Sequence, residues 1–263
     1  MGDVGGKANN LVVLKASGLP VPEFFVIDHA QLCSTLDQSQ LEQLLSTIGK
    51  GYFDKRDQEE IADLINGVRL ESILSLKTIA DFIGTFELFA VRSSNSLEDG
   101  KHASWAGIFE SVLKVKRSNI SAAVRRCWAS AFTEVSYLYC TQVQKRAFSD
   151  LNANIIIQRM VSSKVAGVAF SKNPATDRDQ GILVEYVEGI GDILVSGHVN
   201  PKRINLIRNE SPADVDLPFP AGQLVEGIVA IERLLHCPVD IEWAWDGSTL
   251  YFLQARPMTA LIL

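Results

Sequence analysis

Four polar side chains near the end of the sequence could together hold a metal ion and a phosphate. Asp240 and Glu242 alternate on one predicted strand, and Gln254 and Arg256 alternate on the next. Side chains two residues apart on a strand share a face. Carboxylate and amide oxygens suit Mg²⁺, which proteins hold together with substrate phosphates, and an arginine can bind a phosphate through two hydrogen bonds. The alternative is a solvated sheet face with cross-strand ion pairs.

The turn between these two strands decides whether the two polar pairs face each other. Asp246-Gly247 is a typical hairpin turn sequence. A regular two-residue loop would send Gln254 to the face opposite Glu242. A three-residue loop that starts at Trp245, with Gly247 in a left-handed bulge, would place all four polar residues on one face. We predict this odd-length loop, or a bulge, because it separates a polar face from an apolar one. The apolar face would hold Ile241, Trp243, Tyr251, Leu253 and Ala255.

Two earlier segments carry residue types that suit phosphates. In GDVGGKANNL, glycines precede Lys7 at a predicted helix start, where backbone N–H groups and a lysine can bind an anion. The spacing is not that of a Walker A loop, and the alternative is a flexible N-terminus. In AVRSSNSLEDGKHASWAG, Arg92 closes an apolar strand and serines follow. The stretch from Ser104 to Gly107 could fold backbone amides over an anion as a flap, or form a polar surface loop.

The stretch IIIQRMV is typical of a buried strand that runs into a segment with polar edges. Its backbone could offer hydrogen-bonding groups to a purine while Met160 packs on the ring, or Met160 could belong to the core. The histidines stand apart from acids and thiols at motif spacing, so none is predicted to be a nucleophile or a zinc ligand. They are His29, His102, His198 and His236.

Composition narrows the class of protein. The chain has 263 residues, 47% of them hydrophobic and 21% charged, which is typical of a globular protein with a real core. A formal charge of -6 argues against a nucleic-acid binder that uses a basic surface. Four scattered cysteines indicate free thiols in a reducing compartment. With no signal-peptide pattern and no membrane-length apolar run, we expect a cytoplasmic protein without a membrane partner.

The order of elements predicts an α+β fold with two lobes. A helix is expected from about Ala8 to Ala16, and helical periodicity continues through residues 31–85. A long amphipathic helix is expected over 121–147, strands follow from 154, and a helix spans Gln223 to His236. This pattern predicts lobes at 1–150 and 151–263 with a ligand cleft between them.

Five stretches occur in the order found in one known family. They are VGGKANNL…GLPVPEFFVI, AVRSSNSLEDGKHASWAGIFES, IIIQRMVSSKVAGVAFSKNP, EGIGDILVSGHVNP and DIEWAWDGSTLYFLQARP. Together they resemble the ATP-grasp nucleotide-binding domain of the phosphoenolpyruvate synthase and pyruvate phosphate dikinase family, which rifampin phosphotransferase also carries. The resemblance covers nearly the whole chain and implies an ATP-grasp fold with the nucleotide between two α+β lobes.

The resemblance implies a role for each matching residue. Lys7 and Arg92 would hold ATP phosphates, and a loop with Ser104, Ala106 and Gly107 would cover them. The adenine would lie against Gln158, Met160 and Val161. Magnesium would be held by Glu242 and Gln254, with Asp240 beside them and Arg256 at the transferring phosphate. Catalysis would rest on positioning and charge neutralisation rather than on a covalent intermediate with these residues.

The chain departs from the family pattern in ways that bear on the acceptor. Ile108, Phe109 and Glu110 stand where the family commonly has glutamines and an aspartate, and Asp192 stands where it usually has glutamate. The sequence ends at Leu263, without the family's phosphohistidine and acceptor domains. We therefore expect an ATP- and magnesium-dependent phosphotransferase domain or subunit with an unknown acceptor, and a separate phosphohistidine-domain protein as its partner. The alternatives are an ATP-grasp ligase that activates a carboxylate as an acyl phosphate, and a non-catalytic nucleotide-binding regulatory module.

Overall fold

The computed structural model describes residues 4–95, 109–172, 181–189, 200–208 and 217–258. Within these ranges the helices are α1 (Gly6–Ala16), α2 (His29–Cys33), α3 (Gln38–Ile48), α4 (Lys55–Gly67), α5 (Glu71–Leu74), α6 (Lys77–Thr85), α7 (Ile120–Ala129), α8 (Glu134–Leu138) and α9 (Ala221–Leu235). The strands are β1 (Phe24–Ile27), β2 (Leu88–Asn95), β3 (Ser111–Lys116), β4 (Ala153–Arg159), β5 (Val165–Phe170), β6 (Gly181–Glu188), β7 (Lys202–Ile207), β8 (Val239–Trp245) and β9 (Leu250–Pro257). The strands form two antiparallel sheets, so the predicted α+β class is confirmed.

The chain divides into two compact units. The first unit comprises Met1–Ala8 and Glu23–Met160, and the second comprises Asn9–Pro22 and Val161–Leu263. The division therefore differs from the predicted boundary at residue 150, because β4 runs to Arg159 and pairs with β1 and β2 of the first unit. Most of α1 belongs to the second unit, where the Asn10 side chain donates a hydrogen bond to the Ala255 carbonyl at 2.9 Å.

The first unit is built on a four-stranded sheet in the order β1-β4-β2-β3. Helix α7 packs against β2, β3 and β4. Its Trp128 and the Phe89 side chain of β2 are both fully buried in one hydrophobic core. Because β2 and β4 are interior strands under this core, nearly all of their residues are buried.

Aspartates begin the small helices that cover this core. Asp28, Asp37 and Asp54 precede α2, α3 and α4, and each side chain accepts a hydrogen bond from the third backbone N–H of its helix. The side chain of the third residue of each helix in turn accepts a hydrogen bond from the backbone N–H of the aspartate, which completes a capping box. The predicted helical region 31–85 is thus confirmed as five short helices.

The long helix expected over 121–147 is wrong. Helix α7 ends at Ala129, and α8 starts at Glu134 after a new N-cap at Thr133. The Thr133 hydroxyl accepts a hydrogen bond from the Ser136 backbone N–H at 3.1 Å. Threonine and serine favour such local caps over helix interiors, so the helix is interrupted here. The amphipathic sequence pattern nevertheless continues from one helix to the next.

The second unit is built on a five-stranded sheet in the order β7-β6-β5-β8-β9. Helix α9 packs on one face of it, where Gly227 leaves room for Phe252: a Cβ on this glycine would lie 2.1 Å from the Phe252 ring. Trp243 is fully buried on the same face and contacts the Phe219 ring with centroids 4.7 Å apart. The opposite face of this sheet carries the polar residues of β8 and β9.

An ion pair ties α9 to the ends of the strands. The guanidinium group of Arg208 contacts both carboxylate oxygens of Glu232 and the Ser171 carbonyl, with Nη2 3.0 Å from Oε1. The Ser171 hydroxyl accepts a hydrogen bond from the Val239 N–H at 2.8 Å, at the start of β8. Burial alone would raise the pKa of Glu232, but the hydrogen bonds from Arg208 and Ser171 outweigh it and lower that pKa.

Helix lengths and apolarity also bear on membrane insertion. Across the described ranges, no helix combines the length and the apolar character needed to cross a bilayer.

The four cysteines all lie in the described ranges and are free thiols, with Cys127 and Cys140 buried. Burial raises the pKa of Cys127 to about 12 and that of Cys140 to about 11. Both thiols are therefore poor nucleophiles at neutral pH.

Candidate functional site

The β8–β9 hairpin brings the four predicted polar residues onto one face. Asp240 lies directly opposite Arg256, and Glu242 lies directly opposite Gln254. Residues directly opposite each other in an antiparallel pair project to the same side of the sheet. The predicted shared face is therefore confirmed.

The feature that sets this register is a bulge within β9 and not the predicted three-residue loop. Glu242 pairs with Gln254 and the next residue, Trp243, pairs with Phe252, so Leu253 is the extra residue. The turn itself has four residues, from Asp246 to Thr249, between the paired Trp245 and Leu250. The Asp246 side chain closes it by accepting hydrogen bonds from two backbone N–H groups, those of Ser248 at 2.7 Å and Thr249 at 2.8 Å. Gly247 adopts the positive φ expected of it, at 102°.

The bulge also corrects the predicted apolar face. Phe252, not Tyr251 or Leu253, lies opposite Trp243. Tyr251 and Leu253 instead pack against a separate apolar cluster, which we call the small cluster. Its buried members are Val161, Ala166 and Ala244. Ala244 and Glu242 are two residues apart on β8, so the small cluster adjoins the polar pair on the same face.

Asp240 and Arg256 form a close ion pair. Both Nη2 and Nε of Arg256 approach the same Asp240 oxygen, Oδ2, at 2.6 and 2.8 Å. The Asp240 side chain is only 13% exposed, against 36% for Arg256. Burial raises the pKa of Asp240, the charge and hydrogen bond of Arg256 oppose this shift, and the Glu242 charge adds to it. A phosphate that binds Arg256 would therefore compete with a partly buried carboxylate.

The Glu242–Gln254 pair supplies oxygen donors of the kind that magnesium prefers. Gln254 is 8% exposed and Glu242 is half-buried. In the part of the chain that the structure describes, no group of three or more His, Cys, Asp or Glu side chains is arranged to hold a metal. A magnesium ion here would rely on these two side chains together with phosphate oxygens and water, which is its usual coordination in nucleotide sites.

In the first unit, the glycine-rich start of α1 is anchored to β2. The Ser94 hydroxyl accepts a hydrogen bond from the Ala8 N–H at 3.0 Å and donates one to the Val4 carbonyl at 2.9 Å. Gly5 has φ 79°, and a Cβ there would lie 2.7 Å from Ser94 atoms, so only glycine fits. Lys7 lies in the first turn of α1, with Nζ 3.4 Å from the Ser93 carbonyl. The described part of this glycine stretch is therefore hydrogen-bonded to β2.

Arg92 lies in the middle of β2 and is 9% exposed. It pairs with Ser111 of β3 on one side and Ile156 of β4 on the other. Lys7 and Arg92 therefore both belong to the region where α1 starts against β2. Ser104, Ala106 and Gly107, the predicted phosphate-covering loop, lie outside the described residues, as do Ile108 and Asp192.

Asn154 is a residue of this region that the sequence reading missed. Its side chain donates a hydrogen bond to the Ser94 carbonyl at 3.0 Å and accepts one from the His29 N–H at 2.9 Å. It is fully buried between these two backbone groups and so fixes the end of β2. The available signal was a single amide at the start of the apolar run NIII.

Glu110 is a second residue whose contacts the sequence reading did not foresee. Its carboxylate pairs with Arg126 of α7, and its backbone N–H donates to the Ser130 hydroxyl at 3.2 Å. Its carbonyl accepts from the Ser93 N–H at 3.3 Å. The hydrogen bond and charge of Glu110 raise the pKa of Arg126. This departure from the family pattern is thus part of the support of β2.

The predicted adenine segment follows β4. The Arg159 N–H donates to the Glu23 carbonyl at 2.8 Å and the Met160 N–H donates to the Leu88 carbonyl at 3.0 Å. Gln158 is 2% exposed within the sheet, while Met160 is half-buried. Among the residues that the structure describes, the Val161 N–H has no acceptor, whereas its carbonyl accepts the Ser163 N–H at 2.9 Å.

Two ligases are among the solved structures to which this chain is similar. A D-alanine-D-alanine ligase from Coxiella burnetii matches 96% of this chain and 47% of its own, with 9% identity and a TM-score of 0.43. The ATP-grasp ligase PsnB, complexed with minimal precursor, matches 98% of this chain and 52% of its own, with 10% identity and a TM-score of 0.40.

Comparison with curated sequences finds much larger relatives. An uncharacterized phosphotransferase, YvkC, of Bacillus subtilis is 29% identical over 98% of this chain. A probable phosphoenolpyruvate synthase of Archaeoglobus fulgidus is 27% identical, and a rifampicin phosphotransferase of Bacillus cereus is 26% identical, each over 98% of this chain. The chain spans 33%, 40% and 34% of the length of these three relatives.

A family match covers almost the entire sequence. Residues 1–216 and 220–262 match the family described as pyruvate phosphate dikinase, AMP/ATP-binding domain. The match includes both the α1–β2 region and the β8–β9 hairpin. The chain belongs to the pyruvate phosphate dikinase AMP/ATP-binding domain family.

Proposed function

We propose that this chain is the ATP-binding part of a magnesium-dependent phosphotransferase of the phosphoenolpyruvate synthase type, with an ATP-grasp fold. Family membership supports ATP as the ligand. The observation that carries the rest is the register of β8 and β9, in which Glu242 faces Gln254 and Asp240 faces Arg256. In support of this proposal, oxygen donors that suit a metal and a cation that suits a phosphate share one sheet face.

Along β8 the same sheet face changes from apolar to charged side chains, just as a nucleotide changes from its base to its phosphates. The small cluster of Val161, Ala166 and Ala244 offers an apolar floor for a base. One step along β8, Glu242 with Gln254 suits a metal-bound polyphosphate, and one step further Arg256 suits the phosphate that is transferred. Base, metal and terminal phosphate thus follow the direction of a single strand.

The backbone after β4 supports base recognition at a defined position. Because the Arg159 and Met160 N–H groups already donate to carbonyls, the Val161 N–H is the donor left for a purine ring nitrogen. Val161 also belongs to the small cluster, so donor and apolar floor lie at the same residue. Of the three residues assigned to adenine, we propose that Val161 makes the polar contact and Met160 packs on the ring. The third, Gln158, is enclosed by the sheet and orients the segment.

Lys7 and Arg92 supply positive charge for the phosphates in this proposal. Lys7 lies in the first turn of α1, where helix N–H groups favour anions. When bound, magnesium would neutralise phosphate charge and orient the transferring group. The contribution of the protein is to position these charges before reaction, so no side chain needs to become a covalent intermediate.

The acceptor of the phosphoryl group is proposed from the similarity to larger relatives. We propose that the phosphoryl group passes to a histidine of a phosphohistidine domain, on the same or another polypeptide, and then to a small acceptor. The names of two relatives, phosphoenolpyruvate synthase and rifampicin phosphotransferase, indicate different acceptors in those two proteins.

The test measures magnesium-dependent nucleotide binding and product identity in parallel. Wild type is titrated with ATP by calorimetry with and without Mg²⁺, then incubated with labelled ATP, and ADP is separated from AMP plus phosphate. Glu242→Gln should abolish the magnesium-dependent part of binding, because it removes a charge but almost no volume. Glu226→Gln, an exposed position on α9, is the matched control and should behave as wild type. Magnesium-dependent binding that survives in Glu242→Gln would refute the metal assignment.

A further inference from the structure

One buried serine of β2 uses its whole hydroxyl group to hold the glycine-rich start of α1. The Ser94 hydroxyl accepts a hydrogen bond from the Ala8 N–H at 3.0 Å and donates one to the Val4 carbonyl at 2.9 Å. A serine hydroxyl has a single donor hydrogen, and here it is given to Val4. Ser94 is also fully buried. We therefore do not expect its hydroxyl to contact a ligand directly.

This contact caps α1 from a distant part of the chain. The helix begins at Gly6, so Ala8 is its third residue, and the N–H at this position is commonly bonded by the side chain of the residue before the helix. That residue is Gly5, which has no side chain to do so. Ser94, 86 residues away from Ala8, supplies the acceptor instead. The position of the helix start is therefore set by β2.

Lys7 lies between the two anchored points. Val4 and Ala8 are bound to the same hydroxyl, and the Lys7 Nζ is 3.4 Å from the carbonyl of Ser93, the neighbour of Ser94. Arg92 is two residues before Ser94, on the same face of β2 and about 7 Å along the strand. Through Ser94, a cation from the start of the chain and a cation from β2 are held in one region.

The hydrogen bonds of Ser94 hold this arrangement without the help of an anion. Lys7 and Arg92 both carry positive charge and repel each other. The bonds that Ser94 makes join neutral groups, and the Asn154 side chain fixes the Ser94 backbone by donating to its carbonyl at 3.0 Å. A lysine that is held in place before its ligand arrives loses less conformational freedom on binding, which increases affinity.

We propose that Ser94 is a positioning residue of the nucleotide site: by capping α1 it holds Lys7 near Arg92 before a phosphate binds, and so increases the affinity for the phosphates of ATP. The inference rests on the proposed function, because it takes Lys7 as a phosphate ligand. The alternative is a buried serine that contributes only to the stability of the fold. The two differ in whether the hydroxyl still matters once the Lys7 ammonium group has been removed.

The experiment is a double-mutant cycle measured with two ligands. Magnesium–ATP and adenosine are titrated calorimetrically into wild type, Ser94→Ala, Lys7→Ala and the double variant. Adenosine has no phosphates, so it reports on the rest of the nucleotide site. The cycle isolates the part of the Ser94 effect that acts through Lys7.

A matched control and a second substitution keep the cycle interpretable. Ser136→Ala is the control: Ser136 is fully buried in the same unit, and its hydroxyl donates to the Ala131 carbonyl at 2.7 Å and accepts from the Thr133 N–H at 2.9 Å. Thermal melting verifies that each variant is folded. If Ser94→Ala does not fold, Ser94→Cys takes its place in the cycle, because a thiol keeps the shape but is a weaker acceptor.

Ser94→Ala should bind ATP about tenfold more weakly than wild type, the effect of losing the hydrogen bonds that hold Lys7. Its affinity for adenosine should change by less than about twofold, and so should the effect of Ser94→Ala on ATP in the Lys7→Ala background, where no ammonium group is left to position. Ser136→Ala should lower the melting temperature and keep the affinity of wild type for ATP.

Three results would overturn the inference and leave the proposed function standing. They are unchanged ATP affinity in Ser94→Ala, an equal loss of affinity for ATP and adenosine, and an equal loss of ATP affinity with and without Lys7. The last two would mean that Ser94 only supports the fold. Absence of ATP binding by wild type would overturn the proposed function and the inference together.

Discussion

Two strands each carry an arginine assigned to phosphate, and they hold it in different ways. Arg92 lies in β2, an interior strand on which every residue after Leu88 is buried. Arg256 lies in β9, an edge strand, and is 36% exposed beside Asp240. The position of Arg92 follows from the packing of a sheet, whereas that of Arg256 follows from an ion pair on a surface.

This difference indicates in which region a substitution can change activity without changing the stability of the fold. On the hairpin, the polar residues and the buried aromatic residues occupy opposite faces, so one set can be changed without the other. On β2, both faces are enclosed, and a residue assigned to chemistry also fills the interior. Substitutions in the two regions should therefore have different stability costs for the same change in charge.

The largest stability effect is expected from the apolar face of the hairpin. Trp243→Ala should lower the free energy of unfolding by about 3–5 kcal/mol, because it removes a fully buried ring that contacts Phe219. Chemical denaturation measures this change. The matched control is Trp245→Ala at a half-buried position two residues along the strand, which should cost about 1 kcal/mol. Similar losses in both variants would mean that burial of the Trp243 ring does not determine its contribution to stability.

The next effect concerns the buried arginine of β2. Arg92→Ala should both abolish measurable turnover and lower the free energy of unfolding by about 2–3 kcal/mol, since Arg92 is 9% exposed within the sheet. Arg256→Ala should reduce turnover while costing at most about 1 kcal/mol, because its ion pair is partly exposed. Denaturation and ATP consumption are measured on both variants. Equal stability of the two variants would mean that burial within the sheet does not distinguish Arg92 from Arg256.

A smaller effect with a defined pH dependence is expected at α9. Glu232→Gln should cost about 1–2 kcal/mol at pH 7, because it weakens the bond to Arg208. The pKa of Glu232 is lowered in the folded protein, so its stabilisation is present above the unfolded value of about 4.5 and is lost as pH falls through the folded pKa. The difference between wild type and variant should therefore shrink below about pH 4.5. A difference that does not change with pH would contradict the assignment.

The smallest effect is expected at Asp240, and its pH dependence has the opposite sign. Burial raises the pKa of this carboxyl in the folded protein, so ionisation at neutral pH opposes folding. Asp240→Asn should change the free energy of unfolding by less than about 1 kcal/mol at pH 7. Relative to this variant, wild type should gain stability as pH falls through the folded pKa towards 3.8. Denaturation curves between pH 7 and pH 4 would show the trend, and a relative loss would contradict it.

Local rules predicted much of the fold because they act within a few residues. The helix at Gly6–Ala16 and its end before Gly18 follow from periodicity and from the positive φ of that glycine, 81°. The break at Thr133 was missed because a capping box and a continuing amphipathic pattern compete, and periodicity alone cannot rank them. The grouping of Asn9–Pro22 with the second unit depends on contacts far apart in sequence, which no local pattern encodes.

The candidate site was predicted in part for a similar reason. Alternation identified Asp240, Glu242, Gln254 and Arg256 as one face, and parity required one extra residue between the pairs. Parity does not say where that residue lies, and Asp246-Gly247 favoured the turn. The bulge at Leu253 is set instead by packing, since it lets Phe252 fill the space left by Gly227. The contacts of Asn154 and Glu110 were missed because their partners lie far away in the sequence, Ser94 and His29 for Asn154 and Arg126 and Ser130 for Glu110.

The location of the bulge constrains how this hairpin can change over evolution. The bulge at Leu253 sets the register between the two strands. Residues can therefore be added to or removed from the Asp246–Thr249 turn without moving Gln254 or Arg256 relative to Glu242. Deleting Leu253 alone would invert the phase and drive both polar side chains into the layer of Trp243. When relatives are aligned, length variation belongs in the turn, and a one-residue gap inside β9 marks a chain that has lost the site.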